Sequence, residues 1–149
     1  MTNRFIETNG IRLHYLEHGA GELTLILTHG LTANAHSFDG LIEAGLADGM
    51  RVLSVDLRGR GDSDKPDLGY SMADHAADML GMFDALGLDS VILGGHSFGG
   101  LLTYYMAANH PERVRKCVVI DAPADVHEGI LDQIKPSLDR LEAVLPSWD

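Results

Sequence analysis

Gly95-His96-Ser97-Phe98-Gly99 follows an apolar run, Val91-Ile92-Leu93-Gly94, and precedes Leu101-Leu102-Thr103-Tyr104-Tyr105-Met106-Ala107-Ala108, which has the composition of a helix. Strand, Gly-x-Ser-x-Gly and helix, in that order, make a sharp reversal that exposes the serine hydroxyl at the top of a sheet. Gly95 and Gly99 suit such a turn, because side chains on its flanks would have no room. The helix that follows aims its free N–H groups at the same spot, where they favour a developing negative charge. Ser97 is therefore the candidate nucleophile. The alternative is a passive serine in a glycine-rich turn.

Outward from this stretch, apolar runs alternate with helical patterns. Phe5-Ile6-Glu7-Thr8 and Ile11-Arg12-Leu13-His14-Tyr15-Leu16 predict a hairpin turning at Asn9-Gly10. Leu23 to Thr28 predicts a better buried strand, and Arg51 to Asp56 another. A helix is expected over Ser37–Leu46, with Phe38, Leu41, Ile42 and Leu46 on one face and Gly49 ending it. Ser71 with Asp74 three residues on is a capping-box pattern. Met72, Ala76, Met79, Leu80, Phe83 and Leu86 then recur at helical spacing, and Gly87 suits the C-terminal cap. Val114 to Ile120 predicts a sixth strand, ending at Asp121-Ala122-Pro123. Strands alternating with helices imply an α/β fold with a mostly parallel sheet and helices on both faces. The pattern changes after Pro123. Two units are expected: an α/β core over 1–123, and a helical segment over 124–149 that Pro136 should kink.

The chain has 149 residues, enough for one domain with a real core, and a formal net charge of -11. That charge argues against nucleic acid and anionic membrane surfaces as partners. The single cysteine, Cys117, excludes an internal disulfide, fits a cytoplasmic location and reads as core filler in its apolar run. No segment is long and apolar enough to span a bilayer, and no signal peptide is expected at the N-terminus. Gly94–Gly100 lacks the Lys-Ser/Thr of a phosphate loop. Asp62-Ser63-Asp64 resembles the start of a calcium loop, but Pro66 follows. No Cys/His group has zinc spacing. No metal and no cofactor are expected.

His29-Gly30-Leu31 follows the buried third strand. A loop in that position supplies one oxyanion-hole N–H, and the residue after the serine supplies the other. The candidate donors are the amides of Leu31 and Phe98. His29, Gly30, Gly95, His96 and Gly99 are expected to shape the site. His96 adjoins Ser97, but neighbours at a sharp turn point apart, so it is a poor base. His14 and His18 are expected at the surface or in local hydrogen bonds, and His36 and His75 in packing or at the surface.

His29-Gly30, Asp56-Leu57-Arg58-Gly59-Arg60-Gly61-Asp62-Ser63-Asp64 and Gly95-His96-Ser97-Phe98-Gly99-Gly100 together resemble the α/β-hydrolase fold enzymes, in their esterase, lipase and lactonase-like branch. The resemblance runs from about Arg4 to Ala122. It implies a Ser-Asp/Glu-His triad, an acyl-enzyme, no cofactor and a small ester-type substrate, with Asp56–Asp64 mostly forming the rim of the site. A serine at this position argues against the aspartate-nucleophile epoxide hydrolases and haloalkane dehalogenases. The resemblance also implies a core without its C-terminal strands, followed by the start of a helical cap. Asp121 stands where some members carry the triad acid, or it caps the turn before Pro123. His127 is a poor fit for the base. The chain by itself is therefore expected to hydrolyse weakly, and the edge of strand 114–120 to offer self-association. A ligand receptor or a non-catalytic half-domain on the same fold are the competing readings.

Overall fold

The computed structural model describes residues 1–124. The expected helical segment, with His127 and Pro136, lies outside the described residues apart from Ala124. The elements in chain order are β1 (Thr2–Thr8), β2 (Ile11–His18), β3 (Thr24–Thr28), a 3-10 turn (Ala35–Phe38), α1 (Asp39–Glu43), β4 (Arg51–Val55), α2 (Met72–Ala85), β5 (Val91–His96), α3 (Phe98–Asn109), a second 3-10 turn (Pro111–Arg113) and β6 (Val114–Ile120).

The sheet order is β1-β2-β4-β3-β5-β6. The β1–β2 and β2–β4 pairs are antiparallel, and the other three are parallel. Asn9 and Gly10 both take positive φ at the hairpin tip, the conformation this dipeptide is suited to. Every residue of β3 is buried, because β4 and β5 flank it and residues of α2 and α3 pack on one face and Phe38 and Ile42 on the other. Period-two alternation separates those faces. Ile26, Leu53 and Leu93 join Met79, Met82 and Phe83 of α2 and Leu102 and Met106 of α3 in the larger core. Leu25, Leu27 and Val52 point the other way, into a smaller core with Phe38 and the partly buried Ile42 and Leu46.

α2 carries both local signals its sequence implies. The Ser71 hydroxyl accepts from the Asp74 amide at 3.2 Å, and the Asp74 carboxylate accepts from the Ser71 amide at 2.9 Å. At the other end the Gly87 and Leu88 amides donate to Asp84 and Phe83, a Schellman closure with Gly87 at positive φ.

Three expectations change. The helix expected over 37–46 is a 3-10 turn followed by only five α-helical residues. Gly45 at φ 93 ends it before Gly49, and Leu41 faces solvent. Cys117 is exposed and not core filler. β6 has β5 as its one neighbour among the described strands, and Arg115–Val118 are exposed along it. His14 and His18 are buried, because β2 lies between β1 and β4.

Candidate active site

β5 and α3 meet at Ser97, which has φ 51 and ψ -115. A non-glycine residue with that backbone is strained, at a cost of about 1–3 kcal/mol, and strain of this kind clusters at functional sites. Close packing on both sides imposes the turn. A Cβ on Gly95 would lie 2.0 Å from the Gly99 carbonyl oxygen, and a Cβ on Gly99 would lie 2.1 Å from the Thr28 carbonyl oxygen. β5 and α3 thus touch backbone to backbone, and α3 rests on the end of β3. The Gly99 amide donates to the His29 carbonyl at 3.1 Å and fixes that contact. Serine is a favoured helix N-cap, yet the Ser97 hydroxyl makes no cap hydrogen bond to α3. The half-buried side chain is left for another partner.

The loop after β3 closes on the same point. A Cβ on Gly30 would lie 3.1 Å from His96 Nδ1 and 3.4 Å from Ser97 Cβ, so the loop backbone packs directly against the elbow. Leu31 and Phe98 line one cavity together with His29, Gly30, Leu57, Arg58, Arg60 and His75. Phe98 is the first residue of α3, so its amide has no partner within the helix. His29 is fully buried, and both of its nitrogens are used. Nε2 accepts from the Leu57 amide at 3.1 Å, which puts the proton on Nδ1, where it is shared with the Gly30 carbonyl at 2.7 Å. Burial pushes its pKa down. His29 is therefore a neutral brace between two loops, and no nitrogen is left to act as a base. Asp121 is exposed, at φ 48, at the end of β6, where it turns the chain. The Ser97 amide donates to the Ile120 carbonyl at 3.0 Å, so this turn begins one residue from a contact with the elbow.

The Asp56–Asp64 loop does more than form a rim. Asp56 is buried and accepts from the Ala35 amide at 2.6 Å, the Asp62 amide at 2.9 Å and His14 Nδ1 at 2.8 Å. Arg58 makes a buried two-pronged ion pair with Asp78 of α2, both contacts at 2.6 Å, and also donates to the Gly69 carbonyl. Asn9 caps the same carboxylate at 2.9 Å, which ties the hairpin to α2. Sequence reading missed these partners. The available signal was polar: His75 and Asp78 sit three residues apart beside the apolar stripe of α2, and both are buried. His14, Asp56 and Asp62 bring possible metal-ligating atoms within 4.8 Å of one another. The Asp56 oxygens are already satisfied by the donors named above, so the cluster is complete as a hydrogen-bond network.

His75 packs edge-on against Phe98, with ring centroids 5.0 Å apart. Its Nδ1 is buried, with no hydrogen-bond partner among the described residues. Burial lowers its pKa to about 4, opposed by Asp78 and reinforced by Arg58 and Arg60. Near neutral pH it is an uncharged wall of the cavity.

Comparison with known proteins places this arrangement. Residues 24–142 match the sequence profile described as alpha/beta hydrolase fold. A 2-(acetamidomethylene)succinate hydrolase from Mesorhizobium japonicum is 36% identical over 133 residues, 89% of this chain and 47% of its own. A soluble epoxide hydrolase from a Corynebacterium species is 35% identical over 113 residues, 76% of this chain and 39% of its own. The crystal structure of an epoxide hydrolase from Vigna radiata superposes with a TM-score of 0.80 at 28% identity, covering 91% of this chain and 43% of that one. The chain thus spans less than half the length of these relatives.

Proposed function

The chain belongs to the α/β-hydrolase fold family, and on that premise we propose that it supplies the nucleophile and oxyanion hole of a serine hydrolase. The bond cleaved is an ester, lactone or thioester, and Ser97 carries the acyl group between the two half-reactions. The observation that carries this reading is the strained backbone of Ser97 at a strand-to-helix turn, with a hydroxyl not spent on capping the helix.

In the first half-reaction Ser97 Oγ bonds to the acyl carbon and its proton passes to a base. The carbonyl oxygen becomes an oxyanion facing the Leu31 and Phe98 amides. The carbon–oxygen or carbon–sulfur bond then breaks, and the leaving group departs with that proton. Water repeats the sequence on the acyl-enzyme and frees the serine. Each oxyanion donor is worth about 2.7–4 kcal/mol in such reactions. Two features support the pairing of donors: Leu31 and Phe98 line one cavity, and Gly30 packs against Ser97. Asp121 is the acid we propose for the triad. His29 has no free nitrogen and His14 is committed to Asp56 and Asn3, so neither is the base.

The epoxide hydrolases among the relatives raise a different bond. A serine that opens an epoxide leaves an alkyl ether, which water does not cleave under mild conditions. A carboxylate leaves an ester, which it does. Serine at position 97 therefore favours acyl substrates, and the relative named for a substrate with an acetamido group points the same way.

The test is labelling and turnover by the full-length protein. A fluorophosphonate should modify Ser97, and Ser97→Ala should lose at least about 10³-fold in kcat on an activated ester. Unchanged turnover in Ser97→Ala, or steady conversion of an epoxide to its diol by the unmodified protein, would overturn the reading.

A further inference from the structure

Two arginines line the cavity beside the elbow, and their charges are treated differently. Arg58 is neutralised by the two-pronged contact with buried Asp78. Among the described residues Arg60 has no such partner. Its Nε donates to the Leu31 carbonyl at 2.5 Å and its NH1 to the Gly59 carbonyl at 3.0 Å. Among the described residues, arginine ion pairs involve Arg4, Arg51, Arg58 and Arg113, but not Arg60. Carbonyl oxygens orient a guanidinium without cancelling its charge, and three of its five N–H groups remain available. The side chain is only partly buried. Burial lowers the pKa of both His29 and His75, and the charge of Arg60 acts in the same direction.

We infer that Arg60 is a binding residue for a carboxylate carried by the substrate, so that the preferred substrate is an acyl compound with a second, anionic carboxyl group. This rests on the reading of Ser97 as an acyl-enzyme nucleophile and narrows it. Three observations combine. First, the guanidinium is anchored to Leu31, the residue whose amide is the proposed oxyanion donor. With Nε 2.5 Å from the Leu31 oxygen, it lies within roughly 6 Å of that amide, given the length of one residue. A carboxylate a few bonds from the scissile carbonyl spans that gap. Second, a planar fork with parallel N–H groups matches a carboxylate better than it matches any neutral acyl chain. Third, the chain carries a formal net charge of -11, a field that repels anions. An uncompensated cation in the cavity is what admits one locally.

The experiment uses the full-length protein and two p-nitrophenyl esters, one of a short monocarboxylic acid and one of the matching dicarboxylic acid. Arg60→Gln keeps a donor for the Leu31 carbonyl and removes the charge. It should lower kcat/KM for the anionic ester by about 30-fold or more, mainly through KM, the scale of a charge-assisted hydrogen-bonded contact. The neutral ester should stay within about threefold. Arg60→Lys should recover part of the loss. Calorimetric binding of the free dicarboxylate to Ser97→Ala, with and without Arg60→Gln, reads the anchor independently of chemistry. Loss of that binding in the double variant supports the anchor whatever becomes of Ser97, whereas turnover that survives Ser97→Ala counts against the nucleophile alone. Equal losses on both esters would make Arg60 a positioning residue for the Leu31 loop and overturn the inference. So would unchanged ratios, or dicarboxylate binding indifferent to Arg60.

Discussion

The elbow at Gly95–Gly99 and the loop at Asp56–Asp64 face one cavity, and different physics holds each in shape. At the elbow two glycines let backbone meet backbone at distances no side chain tolerates, and the serine between them is left strained. The Asp56–Asp64 loop is held by buried polar side chains whose partners lie far along the chain: Asp56 with His14, 42 residues away, and Arg58 with Asp78, 20 residues away. Shape held by sterics is rigid and has no substitute. Shape held by charge depends on both partners being present, and a matched apolar pair can replace them. A nucleophile that must meet a carbonyl within fractions of an ångström suits the first kind of support. A loop that orients neighbouring loops can use the second.

The strongest way to break this contrast is Gly99→Ala. The new methyl would fall 2.1 Å from the Thr28 carbonyl oxygen and 2.5 Å from its carbon. Neither can yield without moving β3, the fully buried strand at the centre of the sheet. The expected cost is about 4 kcal/mol or more, beyond ordinary overpacking. Urea unfolding of the full-length protein measures it. A loss under about 1 kcal/mol would mean that the elbow backbone has slack and that sterics do not set it.

Arg58→Met should come next, at about 3 kcal/mol, because among the described residues it leaves the buried Asp78 carboxylate with only Asn9 donating to it. The informative variant is the double one. Arg58→Met with Asp78→Leu removes both charges and should recover most of the loss, since a buried ion pair is exchangeable for apolar contacts of similar volume. If the double variant is no better than the single, the pair acts through hydrogen bonds to Gly69 and Asn9, and the loop is as irreplaceable as the elbow.

The same difference explains what could be read from the sequence. The elbow was legible because its requirements are local: Gly95, Ser97 and Gly99 stand at fixed spacing between an apolar run and a helical one. The caps of α2 were legible for the same reason, with Ser71, Asp74 and Gly87 each acting within a few residues. The Asp56–Asp64 loop was legible as a rim but not in what holds it, because nothing nearby in sequence announces Asp78 or His14 as its partners. His75 reads as either packing or surface, since a polar residue beside an apolar stripe resembles a solvated one until the facing surface is known. Cys117 failed in the opposite sense: an apolar run implies burial only if both flanks of the strand are covered, and a run cannot say whether it lies at an edge.

The smallest expected effect gives the finest test. Thr28 is the polar side chain of β3 that reaches the elbow, where its hydroxyl lies 3.1 Å from the Gly94 carbonyl and 3.2 Å from the Gly99 carbonyl. One hydrogen cannot satisfy both acceptors fully, and Gly99 also accepts from Thr103 at 2.9 Å. Thr28→Val deletes the hydroxyl, keeps the branched shape and leaves the Gly99 carbonyl with a donor. If sterics hold the elbow, the loss should be about 1 kcal/mol, the net worth of one hydrogen bond, and Ser97 should react with a fluorophosphonate at an unchanged rate. A loss near 3 kcal/mol with slower labelling would show that the turn hangs on this hydroxyl. The elbow would then belong with the Asp56–Asp64 loop, as a structure held by polar anchors.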